Sequence, residues 1–232
     1  MSARLKQAWI RAFYWWGTYV STGLLCLLTR WTVEGRRNVP DGPLIVASNH
    51  LNNADPMILC VAVRRRRLRF MAKAELFSSA LGPIVRSWGA FKVHRGQSDR
   101  VALRQAEAIV AGGEMLAMFP EGTRSRTGQM GELHRGTAMI ALRTGAPLLP
   151  CGLTGTEHLG RPLRLLKRPR MSVRIGKPIV VSREPGPLGV QASVLTERLE
   201  REIKALLPPE YRGPYTGEKV GSSIDDRDPQ GE

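Results

Sequence analysis

Short apolar runs that alternate with helix-patterned segments constrain the fold of this chain more than any other feature. The run Leu44–Ser48 (LIVAS) precedes a helical pattern over residues 56–63, and a second run at residues 115–119 follows a helical pattern that stops at Gly112-Gly113. Buried strands that alternate with helices usually pair in parallel, because the crossover helix returns the chain to the same end of the sheet. The pattern predicts an α/β fold with helices on a mainly parallel central sheet.

The same reasoning predicts the remaining elements. Strands are expected at residues 91–93, 148–153 and 171–175, a helix over residues 137–143 closed by Gly145, and a last amphipathic helix marked by Leu195, Leu199, Ile203 and Leu206. Ser98 is placed to cap the helix that ends before Gly112. Pro208-Pro209 is expected to end regular structure, and the polar tail from Thr216 is expected to be disordered.

A length of 232 residues suits one substantial core. We therefore expect a single main domain over residues 33–210, preceded by a membrane-associating helical segment over residues 1–32 and followed by a disordered tail over residues 211–232.

The N-terminal segment is apolar and aromatic. Residues 12–29 carry no formal charge, and eighteen helical residues span about 27 Å, which is marginal for crossing a bilayer. Six residues share one side at helical spacing: Trp9, Phe13, Trp16, Val20, Leu24 and Leu27. This favours an amphipathic helix lying in a membrane interface. Thr29-Arg30-Trp31 offers no signal-peptide cleavage site, so we expect the segment to be retained. A helix packed on the core of the domain is the alternative.

The chain is strongly basic, with 35 Lys and Arg residues against 20 Asp and Glu residues and a formal charge of +15. Such an excess indicates an anionic partner surface. Zinc-finger spacing and RNP-like aromatic strands are absent from the sequence, so we expect no nucleic-acid partner and favour an anionic membrane. The arginine run over residues 64–69 is either part of that membrane surface or a solvated helix end that complements the helix dipole.

Three widely spaced cysteines, Cys26, Cys60 and Cys151, lie within apolar sequence. This favours reduced, buried thiols over a disulfide framework or a metal site. Nothing near Cys60 would lower its pKa, so a nucleophilic role is not expected.

A histidine and a carboxylate occur together where the strand Leu44–Ser48 ends. A neutral imidazole can take a proton from an alcohol if a carboxylate holds its other nitrogen in the right tautomer. Residues five apart on one continuous helix do not share a face, so His50 and Asp55 can meet only across a turn, which Asn52-Asn53 favours. The alternative is that Asp55 only caps the helix that begins with Pro56.

A second motif, Phe119-Pro120-Glu121-Gly122-Thr123-Arg124-Ser125, follows the run at residues 115–119. With the H-x4-D spacing of His50 and Asp55, it resembles the glycerophospholipid acyltransferase family, and within it the bacterial lysophosphatidate acyltransferases. Residues 89–95 (GAFKVHR) resemble the family's short strand ending in arginine, and residues 145–150 (GAPLLP) its proline-bearing strand. His94 stands where many relatives carry an acidic residue, which introduces a rival histidine.

The resemblance implies transfer of a fatty acyl group from acyl-CoA or acyl-acyl carrier protein to the sn-2 hydroxyl of 1-acylglycerol 3-phosphate (lysophosphatidate), which gives phosphatidate. It implies no metal and no bound cofactor. His50 would be the base and Asp55 its orienting partner. Arg95 and Arg124 would contact the phosphate, with Lys73 nearby. Glu121 and Gly122 would help to position the glycerol part, and Thr123, which lies between Gly122 and Arg124 in the motif, would also bind the substrate. His134 and His158 are expected to be structural.

Two alternatives remain open. The acceptor could be another lysophospholipid or a lipid amine, because the motifs define acyl transfer better than they define the acceptor. The chain could instead be a non-catalytic basic module that binds anionic membranes. Taken singly, Glu121 could also be a buried residue paired with an arginine for structure. For the enzyme, we expect a monotopic or peripheral location on the cytoplasmic face of the cell membrane and possible contact with acyl carrier protein.

Overall fold

A seven-stranded sheet lies at the centre of the computed structural model, which describes residues 3–78, 82–93, 99–160 and 162–213. The strands are β1 (Arg30–Glu34), β2 (Leu44–Ser48), β3 (Leu68–Lys73), β4 (Ala90–Val93), β5 (Met115–Met118), β6 (Leu148–Thr154) and β7 (Arg170–Ile175). Their order is β1-β7-β6-β2-β5-β3-β4, and every neighbouring pair is parallel except β6 and β7. The predicted α/β fold with a mainly parallel sheet is confirmed.

Helices cover both faces of the sheet. They are α1 (Ala3–Leu28), α2 (Asp55–Val63), α3 (Ala74–Ser78), α4 (Gly82–Ser87), α5 (Asp99–Ala111), α6 (Gly136–Thr144), α7 (Pro162–Leu165), α8 (Leu188–Leu206) and α9 (Pro209–Arg212), with single 3-10 turns at Arg36–Asn38 and Thr156–His158. Alternate residues of β2 enter different cores: Leu44 and Val46 pack with α1 and α2, whereas Ile45 and Ala47 pack with α5, α6 and α8. This two-sided burial explains why the strand is apolar throughout.

Most predicted elements lie within a few residues of the observed ones, but β1 and β3 were not predicted. In β3, Leu68 and Phe70 are buried while Arg69 between them binds the Gly89 carbonyl and Glu114, so its charges obscured the strand pattern. The predicted domain boundary at residue 32 falls within β1.

Three predictions concern where helices begin and where regular structure ends. The expectation that Pro208-Pro209 ends regular structure is wrong, because α9 begins at Pro209, and proline is favoured at the first position of a helix. The Ser98 cap and the tail from Thr216 lie outside the described residues.

Helix α1 has two different faces. Tyr14 and Thr18 are buried against the domain, and the Tyr14 hydroxyl accepts a hydrogen bond from the Leu68 amide at 3.3 Å. Gly17 permits this close approach, since a Cβ there would lie 2.9 Å from the Trp88 ring nitrogen. The opposite face, which we call the apolar face of α1, is exposed and consists of Trp9, Phe13, Trp16, Val20, Leu24 and Leu27. One face of α1 thus packs on the core of the domain, and the apolar stripe expected from the helical spacing lies on the exposed face. Association of that face with a membrane stays a prediction.

None of the helices that the structure describes, α1 included, is both long enough and apolar enough to span a bilayer.

The arginine run is used mainly within the protein. The guanidinium groups donate to main-chain carbonyls: Arg65 to Val39, Arg66 to Gly42 and Gly113, Arg67 to Arg86 and Ser87, and Arg69 to Gly89. Arg65 and Arg69 also pair with Asp41 and Glu114. These bonds connect loops at the edge of the sheet where the parallel strands begin, so the run is more than a solvated helix end.

Candidate active site

The two sequence motifs meet because β2 and β5 are adjacent and parallel. Ala47 of β2 pairs with Met118 of β5, so the residues that follow both strands emerge at the same edge of the sheet. The His50 carbonyl accepts a hydrogen bond from the Ser125 amide at 2.8 Å, which fastens the two loops together. Residues 71 positions apart along the chain, His50 and Glu121, are thereby brought into direct contact.

Asp55 serves the loop that carries His50. Its Oδ2 atom lies 2.9 Å from His50 Nδ1 and accepts hydrogen bonds from the amides of Leu51 at 2.6 Å and Asn52 at 2.7 Å. Asp55 is fully buried and is the first residue of α2, whereas the N-cap is Ala54, which makes no side-chain cap. The alternative that Asp55 only caps this helix is therefore wrong: the carboxylate turns back to organise the preceding turn.

The His50 ring is held but not enclosed. It stacks on Phe119, with ring centroids 4.1 Å apart and an interplanar angle of 23°. Its side chain is 17% exposed, against 0% for Asp55. With Nδ1 directed at a carboxylate, the favoured tautomer carries its proton on Nδ1 and leaves Nε2 as an acceptor. This arrangement can take a proton from a bound hydroxyl group.

Glu121 is buried beneath this loop. One carboxylate oxygen accepts the His50 amide proton at 2.8 Å, and the other accepts from the Gly131 amide at 2.9 Å. Burial raises the pKa of Glu121, and the two amide donors act in the opposite direction. Both oxygens are occupied by the backbone, so the geometry indicates that Glu121 positions His50. Its predicted contact with the glycerol stays a prediction. We call His50, Asp55 and Glu121 the polar cluster.

The rest of the second motif forms an exposed turn. Gly122 has a φ of 68°, a backbone conformation in which glycine is strongly preferred, and a Cβ there would approach the His134 ring to 3.1 Å. Thr123 and Arg124 are exposed. Arg124 directly precedes Ser125, whose amide binds the His50 carbonyl, so its cationic side chain starts next to the polar cluster. In the part of the chain that is described, no ion pair or hydrogen bond engages its guanidinium group.

Two predicted substrate-binding residues, Lys73 and Arg95, and the rival histidine lie in or after neighbouring strands of the sequence. Lys73 is the last residue of β3, at the same sheet edge as His50, because β3 is parallel to β5 and β5 to β2. Arg95 and His94 lie outside the described residues, which resume at Asp99 after Val93.

Sequence reasoning assigned no role to Asn49, although it directly precedes His50. Its buried side chain accepts from the Leu153 amide at 2.7 Å and donates to the Leu153 carbonyl at 3.0 Å. This pair extends the β2–β6 ladder beyond Ser48 and fixes where the strand ends. The sequence signal for this role was a polar residue directly after an apolar strand.

Two of the three cysteines are buried, as expected from their apolar sequence surroundings. Cys60 and Cys151 are buried, and burial raises the pKa of Cys60 to about 12, which makes it a poor nucleophile at neutral pH. Cys26 is exposed, contrary to prediction, because it points away from the buried side of α1. Within the described ranges, no group of three His, Cys, Asp or Glu residues could hold a metal ion.

Comparison with known proteins places this geometry in a family. The acyltransferase family matches residues 30–154, which contain the whole polar cluster. A 1-acyl-sn-glycerol-3-phosphate acyltransferase of Bacillus subtilis is 29% identical over 177 residues, which cover 75% of this chain and 86% of that protein. A Mycoplasma pneumoniae protein described as a probable enzyme of the same name is 33% identical over 137 residues, 56% of this chain. The match spans only about half of that relative, 52%.

A solved structure is also similar. The crystal structure of the 1-acyl-sn-glycerophosphate (LPA) acyltransferase PlsC from Thermotoga maritima superimposes with a TM-score of 0.64 at 26% identity, covering 89% of this chain and 84% of that one. The sheet, the two motifs at its edge and the matched region lead to one conclusion: this chain belongs to the acyltransferase family.

Proposed function

We propose that this protein transfers a fatty acyl group from acyl-CoA or acyl-acyl carrier protein to the sn-2 hydroxyl of 1-acylglycerol 3-phosphate, giving phosphatidate. The observation that carries the proposal is the 2.9 Å contact between His50 Nδ1 and the buried Asp55 carboxylate. The named activity of the Bacillus subtilis and Thermotoga maritima relatives supports the choice of acceptor.

The reaction needs one base from the protein and no covalent intermediate with the protein. Nε2 of His50 takes the proton of the sn-2 hydroxyl as its oxygen attacks the thioester carbonyl carbon. The tetrahedral intermediate then collapses, the carbon–sulfur bond breaks, and the departing thiolate receives the proton from Nε2. Asp55 stabilises the imidazolium that exists between these two steps.

The acceptor phosphate would be bound by arginine. A planar guanidinium group donates paired, charge-assisted hydrogen bonds to phosphate oxygens. Arg124 is exposed beside the polar cluster, and we assign it this role together with Arg95, with Lys73 as a further cation at the same sheet edge. Thr123 and Gly122 form the turn that carries Arg124 towards the acceptor.

An acceptor panel tests the assignment. Purified protein would be given radiolabelled acyl-CoA and, separately, lysophosphatidate, glycerol 3-phosphate, lysophosphatidylcholine and a lipid amine, and the same panel repeated with acyl-acyl carrier protein. We expect lysophosphatidate to give the highest kcat/KM. A higher kcat/KM for another lysolipid would mean that the protein is an acyltransferase with a different acceptor. No transfer to any acceptor would favour the non-catalytic membrane module.

We further propose that residues 1–32 associate with the cytoplasmic face of the cell membrane in a monotopic or peripheral manner, with the domain of residues 33–210 beside it. The exposed apolar face of α1 supports this, since it carries Trp9 and Trp16 and tryptophan is favoured at membrane interfaces. Protease treatment of sealed inverted vesicles, whose cytoplasmic side faces outward, tests it. An N-terminal tag should be cleaved, whereas protection of the tag would establish that the segment crosses the membrane.

A further inference from the structure

The turn at residues 162–168, which we call the basic turn, exposes two leucines. Leu163 and Leu166 are 79% and 82% exposed, the highest values among the large apolar side chains that the structure describes. The turn contains the one-turn helix α7 and connects β6 to β7 through the 3-10 turn at Thr156–His158. The two leucines lie three residues apart, Leu163 within α7 and Leu166 directly after it, and neither belongs to a hydrophobic core cluster of the described residues, so both are available to an apolar partner.

The charged residues that flank these leucines in the sequence have a single sign. Between Glu157 and Glu184 the sequence contains eight Lys and Arg residues and no acidic residue. Arg164, Lys167 and Arg168 belong to the turn, and Arg164 and Lys167 have exposed side chains. Leucines flanked in the sequence by cations are suited to a bilayer interface, where acyl chains lie directly beneath anionic headgroups.

The basic turn is tied to the end of α1. Arg168 donates to the Cys26 carbonyl at 2.8 Å, and the Arg30 amide donates to the Pro169 carbonyl at 2.9 Å. Carbonyls in the last turn of a helix lack partners within the helix, and α1 has no basic residue of its own there. Arg168 supplies that cation, and so brings the turn beside the end of α1 that carries Leu24 and Leu27.

We propose that the basic turn is a second membrane contact, with Leu163 and Leu166 inserted among acyl chains and Arg164 and Lys167 bound to headgroup phosphates of anionic phospholipids. It acts with the apolar face of α1 as one lipid-binding surface. The inference rests on the proposed function only for its choice of a lipid partner, and vesicle binding measured without any substrate separates the two.

Vesicle binding by the full chain tests the leucines. Leu163→Ser/Leu166→Ser would be compared with Val190→Ser/Val194→Ser, since both valines are 61% exposed on α8, away from α1. On phosphatidylglycerol-containing vesicles we expect the leucine variant to bind about tenfold or more weakly and the valine control to stay within about twofold of the parent. Equal binding by the two variants would overturn the proposal.

A charge variant tests the headgroup contact. Arg164→Gln/Lys167→Gln should reduce binding to anionic vesicles about tenfold and leave binding to phosphatidylcholine vesicles unchanged. A uniform loss on both vesicle types would contradict the headgroup contact. Cys26 is an exposed thiol, and burial of Cys60 and Cys151 keeps those two unreactive, so an environment-sensitive dye on Cys26 can report the binding directly.

Two further readouts keep the conclusions separate. In detergent micelles, the activity of the leucine variant on lysophosphatidate should equal that of the parent protein. If the parent protein itself is inactive in micelles, that result counts against the proposed function and not against the membrane contact. If the leucine variant changes the sedimenting mass in solution but not vesicle binding, the turn binds a second copy of the chain and the lipid proposal is wrong.

Discussion

The polar cluster and the apolar face of α1 are built in opposite ways. In the polar cluster, Asp55 and Glu121 are buried, and five hydrogen bonds of 2.6 to 2.9 Å join their carboxylates to His50, Leu51, Asn52 and Gly131. The apolar face of α1 consists of six separate side chains exposed to solvent. A buried polar group depends on each partner, whereas apolar area adds up roughly side chain by side chain. Single substitutions should therefore have large effects in the first region and graded effects in the second.

The largest effect is expected for His50→Ala. Loss of a positioned general base should lower kcat by about 10²- to 10⁴-fold while the protein remains folded. His158→Ala is the matched control, because the side-chain contacts of that histidine, among the residues that the structure describes, are with Arg164 and Glu157 and not with the polar cluster. A His50→Ala protein with near-normal kcat would show that another residue, such as His94, is the base.

Glu121→Gln should have the next largest effect. An amide has only one acceptor oxygen, so its NH2 group would face the amide proton of either His50 or Gly131. An unsatisfied buried donor costs about 1–3 kcal/mol, which corresponds to about a ten- to hundredfold loss if it falls on the positioning of His50.

The kinetic signature of Glu121→Gln separates the two roles considered for this residue. If Glu121 positions His50, kcat falls and the KM for the acceptor stays nearly constant. A rise in KM at constant kcat would instead support contact with the glycerol. Glu132→Gln is the control, since that glutamate is exposed in the same loop.

Arg124→Ala should change specificity more than overall activity. A charge-assisted hydrogen bond contributes about 1.5–3 kcal/mol, so the preference for lysophosphatidate over monoacylglycerol, which lacks the phosphate, should fall about tenfold or more. The exposed Arg126, two residues further along, provides the control variant. Equal losses of activity on both acceptors would show that Arg124 does not contact the phosphate.

The two faces of α1 should respond differently to truncation. Trp16→Ala should weaken binding to anionic vesicles about three- to tenfold with little change in stability, since Trp16 is 62% exposed. Tyr14→Ala should lower the free energy of unfolding by about 3–5 kcal/mol, because the ring is buried against the domain. Urea unfolding and vesicle sedimentation measure the two effects. Similar stability losses for both variants would mean that the exposed face also packs on the protein.

The smallest effect concerns the pH dependence of stability. The pKa of Glu121 is raised in the folded protein by burial. The folded state therefore binds the Glu121 proton more tightly than the unfolded state, and this contribution is complete below the ordinary glutamate pKa and is lost as pH rises through the raised value. Urea unfolding at several pH values should reveal a dependence that is absent in Glu121→Gln. Identical pH profiles would mean that the pKa of Glu121 is not raised.

The same contrast explains what could be predicted from the sequence. Periodicity located β2, β5, β6 and most helices, because two-sided burial requires unbroken apolar runs. It missed β3, in which Arg69 lies between the buried Leu68 and Phe70 and binds the Gly89 carbonyl and Glu114. The stripe of apolar residues on α1 was predicted residue by residue, since helical spacing alone determines which side chains share a face.

The sequence by itself determined the class of fold, the family and the meeting of His50 with Asp55 and Glu121 at the ends of the strands, because strand patterns and motif spacing are local properties of the chain. Only the tertiary structure decided what each charged group binds. Asp55 turns back to the loop before its helix, Glu121 binds the His50 amide, and the arginine run binds loop carbonyls. These partners are backbone atoms brought close by parallel strand pairing. Every residue presents nearly the same amide and carbonyl, so side-chain identities carry no signal for them.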